Sequence, residues 1–402
     1  MLYTQFKDVN VSRLGMGAMR LPKIEGTGET IDEAKAQAVI EEAYASGINY
    51  FDTAYRYHAG TSERFTGRVL SQFKRDSLYL ATKMPGHMMA YKDGKFSFTS
   101  ALSGSPSMTP AEVFEDQLER CRVDYFDFYL LHNISEISFD FYTNEEIGVI
   151  AFLLEQKKKG RIRHFGFSAH GRAETIEKFL RWSDTRFPGG IFEFAQIQLN
   201  YLDWILQDAK RKYEILAERR IPVVVMEPCR GGTLAAFDEN ISAKFKAARP
   251  GDSIASWAFR YVKALPNVLL TLSGMSSLEQ LRDNVNTFAD SSVLSEKENA
   301  VLQEAIAMMV NLIPCTACRY CTAECPQKLD IPTFISIYNE VSNGKASWFT
   351  LGFTLNAMAE TELPSACVDC GNCKQVCPQG IDIPDVMRKL TGEIEKNIKR
   401  KA

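Results

Sequence analysis

The sequence predicts an α/β fold, a (β/α)8 or TIM barrel followed by a smaller, mainly helical domain rich in cysteine. Three observations predict it. Between about Ser12 and Leu272, short β-rich runs alternate with helical stretches eight times. No G-x-G-x-x-G follows the first strand, which disfavours an open doubly wound sheet. Eight of the 10 cysteines form two runs of identical spacing after the last of these units.

The strand candidates are approximately Arg13 to Met19, Ile48 to Asp52, Leu78 to Lys83, Phe126 to His132, His164 to Ser168, Ala195 to Leu199, Pro222 to Met226 and Val268 to Ser273. Between and after them, Ile31–Ser46, Ser62–Phe73, Thr109–Arg122, Asn144–Lys159, Ala173–Trp182, Gln207–Arg219, Asp252–Ala264 and Ser277–Phe288 have helical spacing and good helix formers. Thr109-Pro110-Ala111-Glu112 is a capping box with proline in the first turn. The prefix Met1 to Val11 reads as a hairpin plugging the end of the barrel away from its mouth. Met84 to Met108, rich in Gly, Ser and aromatics, is long for a βα loop and is expected to cover a substrate. Residues 1–293 are therefore read as the barrel, 294–313 as a connecting helix and 314–402 as the cysteine domain.

With 45% hydrophobic and 24% charged residues the chain has the composition of a folded globular protein. Lys+Arg 47 against Asp+Glu 50 leaves a net charge of −3, without the basic footprint of a nucleic-acid or anionic-membrane binder. No apolar run approaches the roughly 20 residues of a spanning helix, and the start MLYTQFKDVN lacks the pattern of an export signal. Cytoplasmic location is the expectation, with Cys121 and Cys229 as core or near-core thiols.

Working residues of a barrel stand at the C-terminal strand ends. Asp52, Lys83, His132, Ser168, Gln196 and Glu227 would thus share one mouth, and Asp52, Tyr57, Lys83 and His132 make a carbonyl-reducing set. A hydride arriving at a carbonyl carbon leaves an alkoxide that needs a proton. Tyr57 can supply it if a cation, Lys83, lowers its pKa toward neutrality. Asp52 would keep Lys83 charged and oriented, and His132 would donate a hydrogen bond to the carbonyl oxygen. Tyr55 lies at the wrong offset and reads as a pocket wall. His58, His87 and His170 either line the pocket or, as the favoured reading, are solvated loop residues; His164 reads as a buried strand-start residue, and Lys157 to Lys159 as a solvated helix end.

The cysteine runs are Cys315-x2-Cys318-x2-Cys321-x3-Cys325-Pro326 and Cys367-x2-Cys370-x2-Cys373-x3-Cys377-Pro378. Three thiolates on one tight loop can cap three irons of a [4Fe–4S] cube while a distant fourth completes it, so two clusters are expected. A pair of tetrahedral zinc sites is the alternative.

Residues 12 to 290 resemble the aldo-keto reductase superfamily. The resemblance rests on Gly47-Ile48-Asn49-Tyr50-Phe51-Asp52-Thr53-Ala54, Tyr57, Ser62-Glu63, Lys83 and Leu130-Leu131-His132-Asn133. It implies a (β/α)8 barrel, the catalytic tetrad Asp52, Tyr57, Lys83 and His132, and NADP(H) or NAD(H) lying across the mouth. It also implies that Ser168 and Gln196 hold the nicotinamide carboxamide, although Ala169 replaces the usual Asn. Met226 stands where many members stack an aromatic ring, with Glu227 beside it in place of a common Ser. The Pro228 to Gly232 loop, with Gly231, resembles the pyrophosphate strap. Gly274 to Gln280, with Ser276 and Asn284, resembles the adenosine phosphate clamp, but no Lys or Arg lies in Gly274 to Gln280.

Residues 314 to 402 resemble two-cluster ferredoxins, in which the fourth cysteine of each run ligates the other cluster. That resemblance implies Cys315, Cys318, Cys321 and Cys377 on one cluster and Cys367, Cys370, Cys373 and Cys325 on the other. The expected protein is an NAD(P)-dependent oxidoreductase acting on a small carbonyl or alcohol, coupled to or gated by an iron–sulfur electron-transfer domain with a one-electron redox partner. Alternatives are an electron-transfer protein whose barrel is a docking scaffold, and clusters that only shape the structure.

Overall fold

The computed structural model describes residues 1–98, 106–237, 239–309, 313, 315, 319–342, 346–377 and 379–398. Its strands, in chain order, are β1 (Tyr3–Phe6), β2 (Val9–Ser12), β3 (Leu14–Gly17), β4 (Tyr50–Asp52), β5 (Tyr79–Met84), β6 (Met89–Lys92), β7 (Lys95–Phe98), β8 (Phe126–Ile134), β9 (Ile162–Ala169), β10 (Ala195–Gln198), β11 (Val223–Met226) and β12 (Val268–Ser273). Eight of them, β3-β4-β5-β8-β9-β10-β11-β12, close a parallel barrel. Strands covered on both faces read as continuous apolar runs, and β12 is buried at every position. All eight expected strands are therefore present.

Each of the eight expected helices is also present, with ends shifted by a few residues where caps define them. Asp32 caps Glu33–Ala45, the Thr109 and Glu112 capping box opens Pro110–Cys121, Ser253 caps Ile254–Lys263 and Ser277 caps Leu278–Thr287. Features beyond the sequence expectation include the short helix Phe139–Thr143, the helix Glu239–Ala248 and the β6–β7 hairpin inside the Met84 to Met108 insert. Residues 99–105 of that insert lie outside the described residues. The β1–β2 hairpin closes the N-terminal end of the barrel, because Phe6, Val9 and Val11 form one buried cluster with Tyr50, Phe128 and Phe194. Phe6 packs on the rings of Phe128 and His164, with centroids 5.9 and 5.1 Å away.

The chain divides into two compact units, Met1–Tyr201 with Lys210–Ser295, and Leu202–Ala209 with Glu296–Ala402. The grouping of Leu202–Ala209 with the second unit differs from the expected boundary. Its local reason is polar: Gln207 Nε2 donates to Glu340 Oε1 at 3.1 Å and Ser336 Oγ to the Leu206 carbonyl at 3.4 Å. The second unit is mainly helical, with Ile331–Ser342, Trp348–Ala357 and Ile383–Asn397 around a core that includes Phe334, Leu355 and Leu390. Among the described residues no helix is long and apolar enough to cross a membrane.

Candidate active site

Asp52 is the last residue of β4, Lys83 stands near the end of β5 and His132 near the end of β8, so the parallel barrel delivers them to the same end. Lys83 is fully buried, and its Nζ donates to Asp52 Oδ1 and Oδ2, both at 2.7 Å, and to the Thr53 carbonyl at 2.8 Å. A longer bond, 3.5 Å, reaches the Tyr57 hydroxyl. Burial works against the ammonium, but the Asp52 carboxylate outweighs it and holds Lys83 above the ordinary lysine value.

Tyr57 departs from the sequence expectation. Burial raises its pKa, Lys83 lowers it and Asp52 raises it again, and the result is a phenol above its ordinary value rather than one drawn toward neutrality. The physical reason is that Lys83 does not act as an isolated charge, since Asp52 sits against it. Tyr57 is therefore protonated at neutral pH.

The His132 ring stands almost perpendicular to that of Tyr57, at 88° with centroids 6.3 Å apart. Burial, and then the neighbouring His87, Lys83 and His170, push His132 well below the ordinary histidine value, so it is a neutral imidazole. Its carbonyl accepts from the Tyr142 hydroxyl at 2.6 Å and lies 2.6 Å from His87 Nδ1. A carbonyl only accepts, so His87 carries its proton on Nδ1. Burial drives His87 down to about 4 and His170 to about 3. His58 is buried as well, with Nδ1 3.2 Å from the Glu29 carbonyl. The expectation of a solvated loop histidine is overturned for His58, which is buried, whereas His87 and His170 are half-buried. His164 is buried in β9 with Nδ1 2.9 Å from Glu193. Glu193 also pairs with Lys157, which ties that helix end more closely than a solvated reading implies.

Tyr55 does not compete with Tyr57. Its hydroxyl donates to Asp116 Oδ2 and accepts from Arg120, both at 3.0 Å, and the Arg120 guanidinium lies 4.0 Å over its ring. Behind Lys83 is a buried carboxyl that sequence reasoning used only as part of a motif. Glu63 Oε1 accepts from Thr82 Oγ1 and Gln117 Nε2, both at 2.6 Å, while Gln117 Nε2 also donates to the Lys83 carbonyl at 3.0 Å. Burial pushes Glu63 up to about 7, against the pull of those two bonds.

The residues expected to meet a nicotinamide lie at the ends of the next strands. Ser168 and Gln196 are buried, and Ser168 Oγ donates to the Leu131 carbonyl at 3.4 Å. Gln196 Nε2 approaches Met226 Sδ at 3.6 Å, and its Oε1 is buried with no hydrogen-bond partner. A buried amide oxygen without a donor beside a half-buried thioether fits a carboxamide on a flat ring. Pro228 is buried, Gly231 stands in the turn Arg230–Gly232, and Gly274 follows β12 directly. Gln280 Oε1 accepts from the Ser276 amide at 2.8 Å, whereas Asn284 is buried and its amide donates to Ser273 Oγ at 3.0 Å.

In the second unit, thiols from both runs ring each of two cavities. One is lined by Cys325, Cys367, Cys370 and Cys373, and the other by Cys315, Cys321 and Cys377. Cys318 lies outside the described residues. Among the described residues no three His, Cys, Asp or Glu side chains are grouped so as to hold a single metal ion. Apolar residues close both: Leu329, Ile331 and Met387 line the first, Ile335 and Ile381 the second. Four thiols around the first of these apolar pockets, and three described thiols around the second, fit the thiolate ligation of cuboidal clusters.

Comparison with known proteins agrees with both halves. The aldo/keto reductase family model matches residues 13–307, and a 4Fe-4S dicluster domain matches residues 314–381. An uncharacterized oxidoreductase of Bacillus subtilis, YqkF, is 27% identical over 324 residues, covering 74% of this chain and 93% of the relative. An NADH-specific methylglyoxal reductase of Escherichia coli is 24% identical over 329 residues, covering 73% of this chain and 97% of its own. Among solved structures, the holo form of aldo-keto reductase AKR11C1 from Bacillus halodurans superposes with a TM-score of 0.58 at 26% identity, over 76% of this chain and 96% of that one.

Proposed function

The chain belongs to the aldo/keto reductase family and carries a 4Fe-4S dicluster domain, and on that premise we propose that it is an NAD(P)H-dependent carbonyl reductase with Tyr57 as its proton donor. The observation that carries this reading is the Lys83 ammonium, bonded to Asp52 and within 3.5 Å of the Tyr57 hydroxyl, with the neutral His132 ring across from it.

Reduced nicotinamide, when bound, supplies the hydride for the carbonyl carbon. Gln196 Oε1, with no donor of its own, would accept from the carboxamide, with Ser168 at the same strand ends, and Met226 would pack against the ring. His132 donates to the substrate oxygen and fixes its direction. The Tyr57 oxygen accepts from Lys83, which leaves its own O–H to donate to the oxygen that gains charge. Because burial keeps the phenol protonated, the acid is loaded before the substrate arrives. Lys83 then stabilises the phenolate left behind, while Asp52 keeps Lys83 charged and oriented.

Cys315, Cys318, Cys321 and Cys377 would hold one [4Fe–4S] cluster and Cys325, Cys367, Cys370 and Cys373 the other, giving the protein one-electron capacity. A nicotinamide gives two electrons together while each cluster takes one, so the domains exchange electrons only through a substrate or partner that can carry a single electron. The Escherichia coli relative is named for methylglyoxal and NADH, which supports a small carbonyl substrate here and keeps both nicotinamide dinucleotides in view. The test is Tyr57→Phe in the cluster-loaded, anaerobically purified chain. Turnover of a carbonyl that the wild type reduces should fall about 100- to 10,000-fold, while the affinity for NAD(P)H stays within about twofold. Retained turnover would assign the acid elsewhere.

A further inference from the structure

Arg56 directly precedes Tyr57 in the connection between β4 and the helix Ser62–Leu70, and it is half-buried. The next arginines along the chain are paired: Arg64 with Asp116 at 3.5 Å, Arg68 with Glu33 at 2.7 Å and Arg75 with Asp127 at 2.5 Å. Among the described residues no carboxylate and no hydrogen-bond acceptor meets the Arg56 guanidinium. Taking a cation partly out of water without a partner costs free energy, and an anionic ligand would offset that cost.

The Arg56 charge falls on the mouth. It acts on His87, where it adds to burial in disfavouring the imidazolium. The His87 ring meets that of His132 edge to face with centroids 4.5 Å apart, so Arg56 acts one ring away from the residue that would hold the carbonyl oxygen. The other side-chain charges acting on these rings have the same sign. Lys83 acts on His132 and His170, and Lys212 acts on His170. Of the carboxylates, Asp52 is engaged by Lys83, and Glu227 acts on Tyr57 but on none of the three imidazoles. Neutral imidazoles and an unpaired guanidinium together leave this part of the mouth at positive potential, which favours an anion.

We infer that Arg56 binds an anionic group of the substrate, a carboxylate or a phosphate, on a small aldehyde or ketone whose carbonyl oxygen faces Tyr57 and His132. This rests on the reading of the mouth as a carbonyl-reducing site. A guanidinium presents a planar fork of donors that matches two anionic oxygens at once. Binding there holds the far end of the substrate and takes no part in proton or hydride transfer. Arg56 is thus a specificity-determining residue that separates charged from uncharged carbonyls of similar length.

The test compares succinic semialdehyde, glycolaldehyde phosphate and uncharged butanal as substrates of the full-length, cluster-loaded protein with saturating NADH or NADPH, for wild type, Arg56→Gln and Arg56→Lys. The wild type should have a higher kcat/KM for at least one anionic aldehyde than for butanal, and the preferred one identifies the anion as carboxylate or phosphate. In Arg56→Gln that preference should fall about 10- to 100-fold, as loss of a charge-assisted contact implies, and the fall should lie in KM. Arg56→Lys should keep part of the preference, because the charge returns without the fork. A wild type without anion preference, or a preference unchanged in Arg56→Gln, would overturn the assignment. A fall confined to kcat, or loss of all turnover in both variants, would overturn it too, by giving Arg56 a chemical or structural role. If the wild type reduced none of the three aldehydes, the reading of the mouth would fail first; reduction of butanal without anion preference would remove this inference alone.

Discussion

Lys83 Nζ lies 2.7 Å from both carboxylate oxygens of Asp52 but 3.5 Å from the Tyr57 hydroxyl. The ammonium is held first by the carboxylate and only then touches the phenol. This order decides the electrostatics of the site. Lys83 stays charged because of Asp52, and Tyr57 stays protonated first because it is buried and then because Asp52 partly cancels the Lys83 charge reaching it.

Asp52→Asn should separate the two effects. Removing the carboxylate removes one of the groups that raise Tyr57, so the Tyr57 pKa should fall and the alkaline limb of the kcat/KM profile for reduction should move to lower pH. The same change leaves a buried ammonium without its counter-charge, at a cost of about 3–5 kcal/mol in stability. Denaturant titration alongside the pH profile checks both, and a profile displaced to higher pH would reverse the assigned role of Asp52.

Glu63 gives a second pH dependence, with the opposite sign from an exposed carboxylate. Its folded pKa is raised from 4.5 to about 7, so the folded state binds that proton more tightly than the unfolded chain. The associated stability is full below the ordinary glutamate value and is lost as pH rises through about 7, a span on the order of 3 kcal/mol. Glu63→Gln should flatten the decline of barrel stability between pH 5 and pH 8. Parallel wild-type and variant curves in that window would place the pH dependence on another group.

The barrel, and the placing of Asp52, Lys83 and His132 at one end of it, were legible in the sequence for a physical reason. Strands buried on both faces are apolar runs, and the polar residue that ends each of them marks the mouth, as Asp52, Lys83 and His132 do. The histidines were less legible. His58 sits among polar neighbours and takes φ +53°, and nothing in its local sequence shows that the chain folds it away from water. The helix Glu239–Ala248 left one signal, Ile241 and Phe245 four residues apart and both buried.

The crossing of the cysteine runs can be read from paired substitutions. Cys325 shares a cavity with Cys367, Cys370 and Cys373, not with the other described cysteines of its own run. Cys325→Ser combined with Cys367→Ser should therefore spare the other cluster and leave about half the iron. Cys325→Ser combined with Cys315→Ser should damage both. Iron and sulfide analysis with electron paramagnetic resonance of the reduced proteins distinguishes this from sequential ligation, in which the two outcomes exchange.

The central claim is that a hydride passes directly to a carbonyl carbon under the Tyr57 proton donor, and isotope transfer tests it most directly. Cluster-loaded protein is mixed anaerobically with NADH or NADPH carrying deuterium at the transferable position of C4 and with a carbonyl that the wild type reduces. The product is then examined for label at the carbinol carbon while visible absorption follows the clusters. The account predicts deuterium on that carbon, clusters that remain oxidised, and loss of product in Tyr57→Phe. Prompt cluster reduction by the dinucleotide without labelled product would contradict it and identify the chain as an electron-transfer protein.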